Sequence, residues 1–276
     1  MSSIDSEPAL ASESAIGRFA GAAGAAGATF IDIAQTTGAM GLLLAQVARR
    51  AVTFPPVLDY PELRRSLHKM AVKSLPIVII TALFTGAITV LQAAPVVRRY
   101  GAEGLLGWGT GFATLREVAP LLTALMISGR VGANNTAELG TMVVTEQMDA
   151  LRVLAIDPIS FLILPRFIAI VVTLFTMTLY ADLLALLGAA WTGYALLQIE
   201  PRSFYNGLTG GLLGISDVTG GLCKSILFGF VIALSSCHYG MATKGGAPGV
   251  GRSVNATVVA SAAGVFVLDY LVSLFT

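Results

Sequence analysis

The chain has 276 residues, of which 55% are hydrophobic and 12% charged, with a net charge of +1 and a mean hydropathy of +0.79. Soluble domains carry about 25% charged residues to cover a wetted surface, so the composition argues against a soluble globular protein and for an integral membrane one. The near-neutral balance also argues against a nucleic-acid binder, which would show a basic face.

The first 29 residues begin acidic, with Asp5, Glu7 and Glu13, and lack an early apolar core with a cleavage site. They do not read as a secretory signal. Their Ser, Ala and Gly content predicts a flexible tail over 1–29, ahead of one membrane domain over 30–276. Phe30 to Val52 is apolar but carries Asp32, Gln35 and Gln46 and ends in Arg49–Arg50. An in-plane interfacial helix suits it better than a crossing one, with a sixth span as the alternative.

About 20 apolar residues cross a bilayer core of about 30 Å. Ser74–Val97 is a charge-free run of that kind; Leu105–Gly129 is a second span, but it carries Arg116 and Glu117 near its middle. Ile159–Ile199 is broken only by Arg166 and Asp182, and shows no Gly or Pro turn signal before Gly188. Ser225–Thr243 and Ser253–Phe275 complete the set, the last with Asp269 near its end.

Charge asymmetry decides whether Ile159–Ile199 is one helix or a hairpin. With one helix, one side collects Arg49, Arg50, Arg64, Arg65, Lys69, Lys73, Arg152, Arg166, Lys244 and Arg252. The other collects only Arg98, Arg99 and Arg202. A hairpin would move Lys244 and Arg252 across and weaken that contrast. The reading is therefore an all-α integral membrane protein with five transmembrane helices, N-terminus inside and C-terminus outside.

On this topology the polar stretch Thr145–Pro158 joins spans two and three on the inner side. Thr145 is expected to cap a short helix with Glu146 in its first turn. Met148, Leu151 and Leu154 would form one apolar stripe. Asp157 and Pro158 would start the next helix as cap and first residue. The stretch reads either as a surface connector or as a docking element for a soluble partner.

Charges inside a span cost about 2.5–3.5 kcal/mol each even on insertion scales. Arg116 and Glu117 therefore face a protein interior or a water-filled cavity, and Pro120 invites a local irregularity beside them. They either brace the fold in a mutual or interhelical ion pair or line a substrate path. Adjacent helical residues point about 100° apart, so both should not face one apolar neighbour. Lys224, beside the fourth charge-free run, is free to snorkel outward or to meet an anionic head group. Small residues through Ser128–Met142 permit close helix approach, with Arg130 and Glu138 as structural charges.

Thr243–Ser253 is glycine-rich but lacks the Gly-Lys-Ser/Thr ending of a phosphate loop. His68 and His238 are isolated, so no metal site and no catalytic constellation is expected. Cys223 and Cys237 stand fourteen apart in one apolar run, too far for a disulfide within a single helix.

The stretch "LREVAPLLTALMISGRVGANNTAELGTMVVTEQMDALRVLAIDPISFLILPRFIA" (Leu115–Ala169) resembles the MlaE/YrbE family. The likeness returns in "TKGGAPGVGRSVNATVV" (Thr243–Val259) and "LDY" (Leu268–Tyr270) and covers the chain from about Phe30. These are membrane permease subunits of ABC systems that carry lipid together with MCE-domain proteins. The resemblance implies an N-terminal interfacial helix, five spans and a homodimer in the bacterial inner membrane. It implies a phospholipid or related cargo and a non-catalytic chain, with ATP and Mg held by a partner ATPase. A coupling helix between spans two and three would meet that ATPase through Glu146, Gln147, Asp149, Leu151 and Arg152. The cavity positions it implies are Arg116 and Glu117, with Tyr100 and Lys224 as neighbours. Asn134 and Asn135 depart from the small or apolar residues usual there. A stand-alone secondary transporter or channel using Arg116–Glu117 is the alternative.

Overall fold

The computed structural model describes residue 31 and residues 34–51, 60–101, 103–211 and 213–275. The tail expected over 1–29 lies outside the described residues. Two compact units divide the chain, Met1–Ala45 and Gln46–Thr276. Every regular element among the described residues is helical.

Residues 34–51 form helix α1. The second unit continues with α2 (Tyr60–Arg99), α3 (Leu106–Val144), α4 (Gln147–Val153) and α5 (Ile159–Leu197). A short α6 (Pro201–Thr209), α7 (Ile215–Met241) and α8 (Gly246–Phe275) complete it. Five helices, α2, α3, α5, α7 and α8, are long and apolar enough to cross a membrane. The five-span reading holds, and Ile159–Leu197 is one continuous helix. Short connections make successive spans antiparallel, so the bundle has an α4 end and an opposite end. The opposite end carries Arg99, Leu106, α6, Ile215 and Phe275.

The helices outrun the charge-free runs. Helix α2 starts fourteen residues before Ser74, and α3 continues past Gly129 through Arg130 and Glu138 to Val144. Charged residues end the apolar run without ending the helix, because their heads find partners where the helix leaves the hydrocarbon. Helix α6, which no apolar run announced, buries Phe204 beside Val90, Ala94, Leu106, Ala189 and Ile199 and closes the opposite end. There Arg98 Nη2 donates to Leu197 O at 2.5 Å, answering a carbonyl orphaned at the end of α5.

Helix α2 lies along α5, which packs in turn on α7; α8 covers α7 and the second half of α3. In lipid there is little hydrophobic force between helices, so close backbone approach supplies the attraction. At Gly86 of α2, a Cβ would stand 1.8 Å from Ala185 O of α5. Gly86→Val is therefore expected to force the helices apart and cost at least about 1–3 kcal/mol. The thermal midpoint of detergent-purified protein reads this out. Gly109→Ala, where nothing lies within 4 Å, is the control and should not lower the midpoint.

Candidate functional site

Pro120 has no N–H to offer the carbonyl of Arg116, and its ring crowds that carbonyl. The helix responds with one wide turn over Thr114–Val118, where Ala119 N–H reaches back five residues to Thr114 O. Wide turns of this kind recur at functional sites, and this one carries Arg116 and Glu117. Helix α7 comes close here: a Cβ on Gly221 would stand 2.0 Å from Leu115 O.

Both charges reach α7, through residues seven apart on one face of it. Arg116 Nη1 lies 3.5 Å from Asp217 Oδ1, and its guanidinium sits 5.3 Å from the centre of the Phe112 ring. Asp217 uses its other oxygen to accept Gly214 N–H at 2.9 Å, capping the helix start. Glu117 Oε1 accepts from Lys224 Nζ at 2.6 Å. Lys224 also donates to Asp269 Oδ1 at 3.0 Å and Ser273 Oγ at 2.8 Å, so all three ammonium protons are used. Ser273 in turn donates to Glu117 at 3.1 Å.

Two alternatives that the sequence leaves open are decided. The ion pairing is interhelical and not mutual between Arg116 and Glu117, and Lys224 does not snorkel. Its side chain is 2% exposed and turned into the bundle, because two carboxylates on other helices wait there. The wide turn and the polar face of α7 let two adjacent residues address one neighbour. Tyr100 stands apart, 77% exposed just past α2 and outside this network. Asp217, Asp269 and Ser273 were missed as partners; the signal was present in Asp269, a carboxylate inside a span.

By helix rise, Glu117 lies about 16 Å from the start of α3, and Lys224 about 14 Å from the start of α7. Asp269 lies about 9 Å from the end of α8 by the same measure. The network therefore sits in the half of the bundle away from α4. Asp182 of α5 is also buried, and neither of its oxygens has a hydrogen-bond partner among the described residues.

At the α4 end, Thr145 does not cap α4. Its hydroxyl donates back to Thr141 O at 2.8 Å, and Glu146 N–H bonds Val143 O. Both residues serve the end of α3, with Glu146 left-handed at φ 59°, the conformation a helix terminator adopts, while its carbonyl accepts Ala150 N–H at the start of α4. Helix α4 starts one residue later than that cap implied, at Gln147. The expected apolar stripe is split: Met148 is buried and Leu151 half-buried, but the helix stops at Val153, so Leu154 is displayed. Val153 and Leu154 are 87% and 69% exposed. Glu146, Gln147, Asp149 and Arg152 are all exposed, with Arg152 paired to Asp149 at 2.9 Å. The Asp157 cap is present: its carboxylate accepts Ile159 N–H and the Ser160 hydroxyl, and pairs with Arg50 at 3.2 Å.

Just inside this end, Glu138 gathers Lys69, the Asn134 amide at 2.6 Å and Arg166 at 3.5 Å. Asn135 is 1% exposed; its amide donates to Ser236 Oγ at 3.0 Å and its oxygen accepts from Arg166 at 3.4 Å. The two asparagines thus belong to a polar hub joining α2, α3, α5 and α7.

These features define a class: an all-α, multi-pass membrane protein with a charged network inside the bundle and an exposed helix at one end. The chain belongs to the MlaE permease family of ABC-transporter permeases, whose family description, Permease MlaE, matches residues 63–275. A probable ABC transporter permease protein of Rickettsia typhi is 35% identical over 243 residues, 88% of this chain and 93% of that protein. One from Synechocystis is 38% identical over 213 residues, 76% and 81% of the two chains. The chloroplastic protein TRIGALACTOSYLDIACYLGLYCEROL 1 of Arabidopsis thaliana is 35% identical over 211 residues, 76% of this chain and 60% of that protein.

Proposed function

We infer that this chain is the non-catalytic permease subunit of a lipid-carrying ABC transporter. Two copies pair in a bacterial inner membrane, the N-terminus cytoplasmic and the C-terminus periplasmic, with α1 lying in plane at the membrane–water interface. A cytoplasmic ATPase docks on α4. The cargo, a phospholipid or related lipid, passes between the membrane and an MCE-domain carrier along the face of Glu117, Arg116 and Lys224, with Tyr100 at its rim.

The observation that carries this reading is the division between the two ends. One presents an exposed helix with bare Val153 and Leu154, the other an intramembrane charge network whose Glu117 side chain remains 37% exposed. The name of the Arabidopsis relative contains a diacylglycerol galactolipid, which supports a lipid cargo. A secondary transporter built on an Arg116–Glu117 couple is less well supported, because each of the two residues is engaged by a different partner on α7.

The test is co-purification of the cognate ATPase, followed by lipid transfer from proteoliposomes to the MCE protein with and without ATP. ATP-dependent transfer by the reconstituted complex is expected. Transfer that proceeds without any ATPase would move the assignment to the secondary-transporter class.

A further inference from the structure

Between α2 and α3 near the α4 end lies a cavity of about 170 Å³ whose lining includes Lys69, Lys73, Ser74, Arg130 and Asn134. A second cavity of about 170 Å³ shares Lys69 and Asn134 with it and adds Arg65, Arg166, Glu62 and Glu138. Together they hold five cations (Arg65, Lys69, Lys73, Arg130, Arg166) against two carboxylates, a surplus of three positive charges. Glu138 is already divided among Lys69, Asn134 and Arg166. Lys73 and Arg130 have no carboxylate partner among the described residues. Lys69 and Lys73 stand four apart on one helix, a like-charge arrangement that is unfavourable unless an anion lies between them.

Depth identifies the anion's source. Lys73 immediately precedes the charge-free run Ser74–Val97, and Arg130 immediately follows the charge-free run Val118–Gly129. Both cations therefore mark the border of the apolar layer, where a lipid presents its head group. The wide turn over Ser128–Gly132, with Ala133 N–H bonded five residues back to Ser128 O, carries Arg130 at that border. We propose that this cavity binds a phosphate group carried by a membrane lipid, between the Lys73 and Lys69 ammonium groups and the Arg130 guanidinium. It is a head-group site separate from the Glu117–Lys224–Asp269 network, at the other end of the same helices. Its use as a loading or unloading station rests on the lipid-permease reading; its binding chemistry does not.

The experiment measures lipid binding to the delipidated full-length protein in detergent by native mass spectrometry, without ATPase or ATP. Phosphatidylglycerol is expected to bind, with an affinity that falls as KCl rises, while diacylglycerol, which lacks the phosphate, is not retained. Lys73→Gln with Arg130→Gln is expected to weaken phosphatidylglycerol binding about thirtyfold, since each membrane-surface cation contributes about fivefold. Lys73→Arg should retain it, as should Lys244→Gln, which removes an exposed cation from the α7–α8 connection at the same end. Thermal midpoints of all variants show that the fold is kept. Equal binding by wild type and double variant, equal retention of diacylglycerol, or salt-independent affinity would overturn the site. Saturation by inorganic phosphate that phosphatidylglycerol cannot displace would overturn the lipid source. Loss of lipid transfer with this binding intact would count against the permease reading alone.

Discussion

Lys224→Met is expected to destabilise the protein by about 3–5 kcal/mol, the range for removing one partner of a buried ion pair. The substitution keeps the apolar stem but takes away the ammonium that bridges Glu117 and Asp269. Two carboxylates from α3 and α8 are then left near each other inside the bundle, and Ser273 loses one of its partners. Arg116→Met is a weaker lesion. That pair is 3.5 Å apart with Arg116 27% exposed, and Asp217 still caps α7, so about 0–1 kcal/mol is expected. Chemical denaturation in detergent compares the two. The triple variant Lys224→Met, Glu117→Gln, Asp269→Asn removes every charge together and should regain most of the lost stability, because no ion is left unpaired. It also separates bracing from transport: if the network serves the lipid path, this stable variant fails in lipid transfer. An unchanged unfolding midpoint for Lys224→Met would contradict the network itself.

Much of the fold was legible because the bilayer leaves few solutions. Apolar runs of about 20 residues with the charge asymmetry gave the number of spans, the missing turn near Asp182 kept α5 whole, and Pro120 marked a local irregularity that the structure resolves as the wide turn at Arg116. Asp157 capped as its residue type demands. What the sequence hid is of two kinds. Pairing across helices has no local signature: Lys224 meets residues 107 and 45 positions away, and nothing near it in sequence announces either. Local signals also compete. Thr145 is a good cap for the helix that follows, yet the same hydroxyl closes the helix that precedes, and only the packed structure decides between them. Helix length was underestimated for a related reason. Lys69, Arg130 and Glu138 look like helix-ending charges in a hydropathy reading, but they line cavities or bind one another on helices that continue past them.

Val153→Asp with Leu154→Asp is expected to weaken association with the ATPase about thirtyfold or more, at unchanged stability. The two side chains are 87% and 69% exposed, so the isolated chain loses almost no packing when they become polar. In a complex they would be buried, and fully burying a Val or Leu side chain contributes about 1.5–3 kcal/mol relative to leaving it exposed. The surrounding charges act differently. Asp149 and Arg152 form an exposed pair of the kind that contributes about 0–1 kcal/mol, and rim charges act mainly on association rate and its salt dependence. Glu146→Lys with Asp149→Lys should therefore slow binding most at low ionic strength and approach wild type as salt rises. The apolar double variant should be impaired at every salt concentration. Association kinetics of the purified chain with its ATPase across a KCl series distinguish the two patterns. Full ATPase binding by both double variants would move the docking surface away from α4.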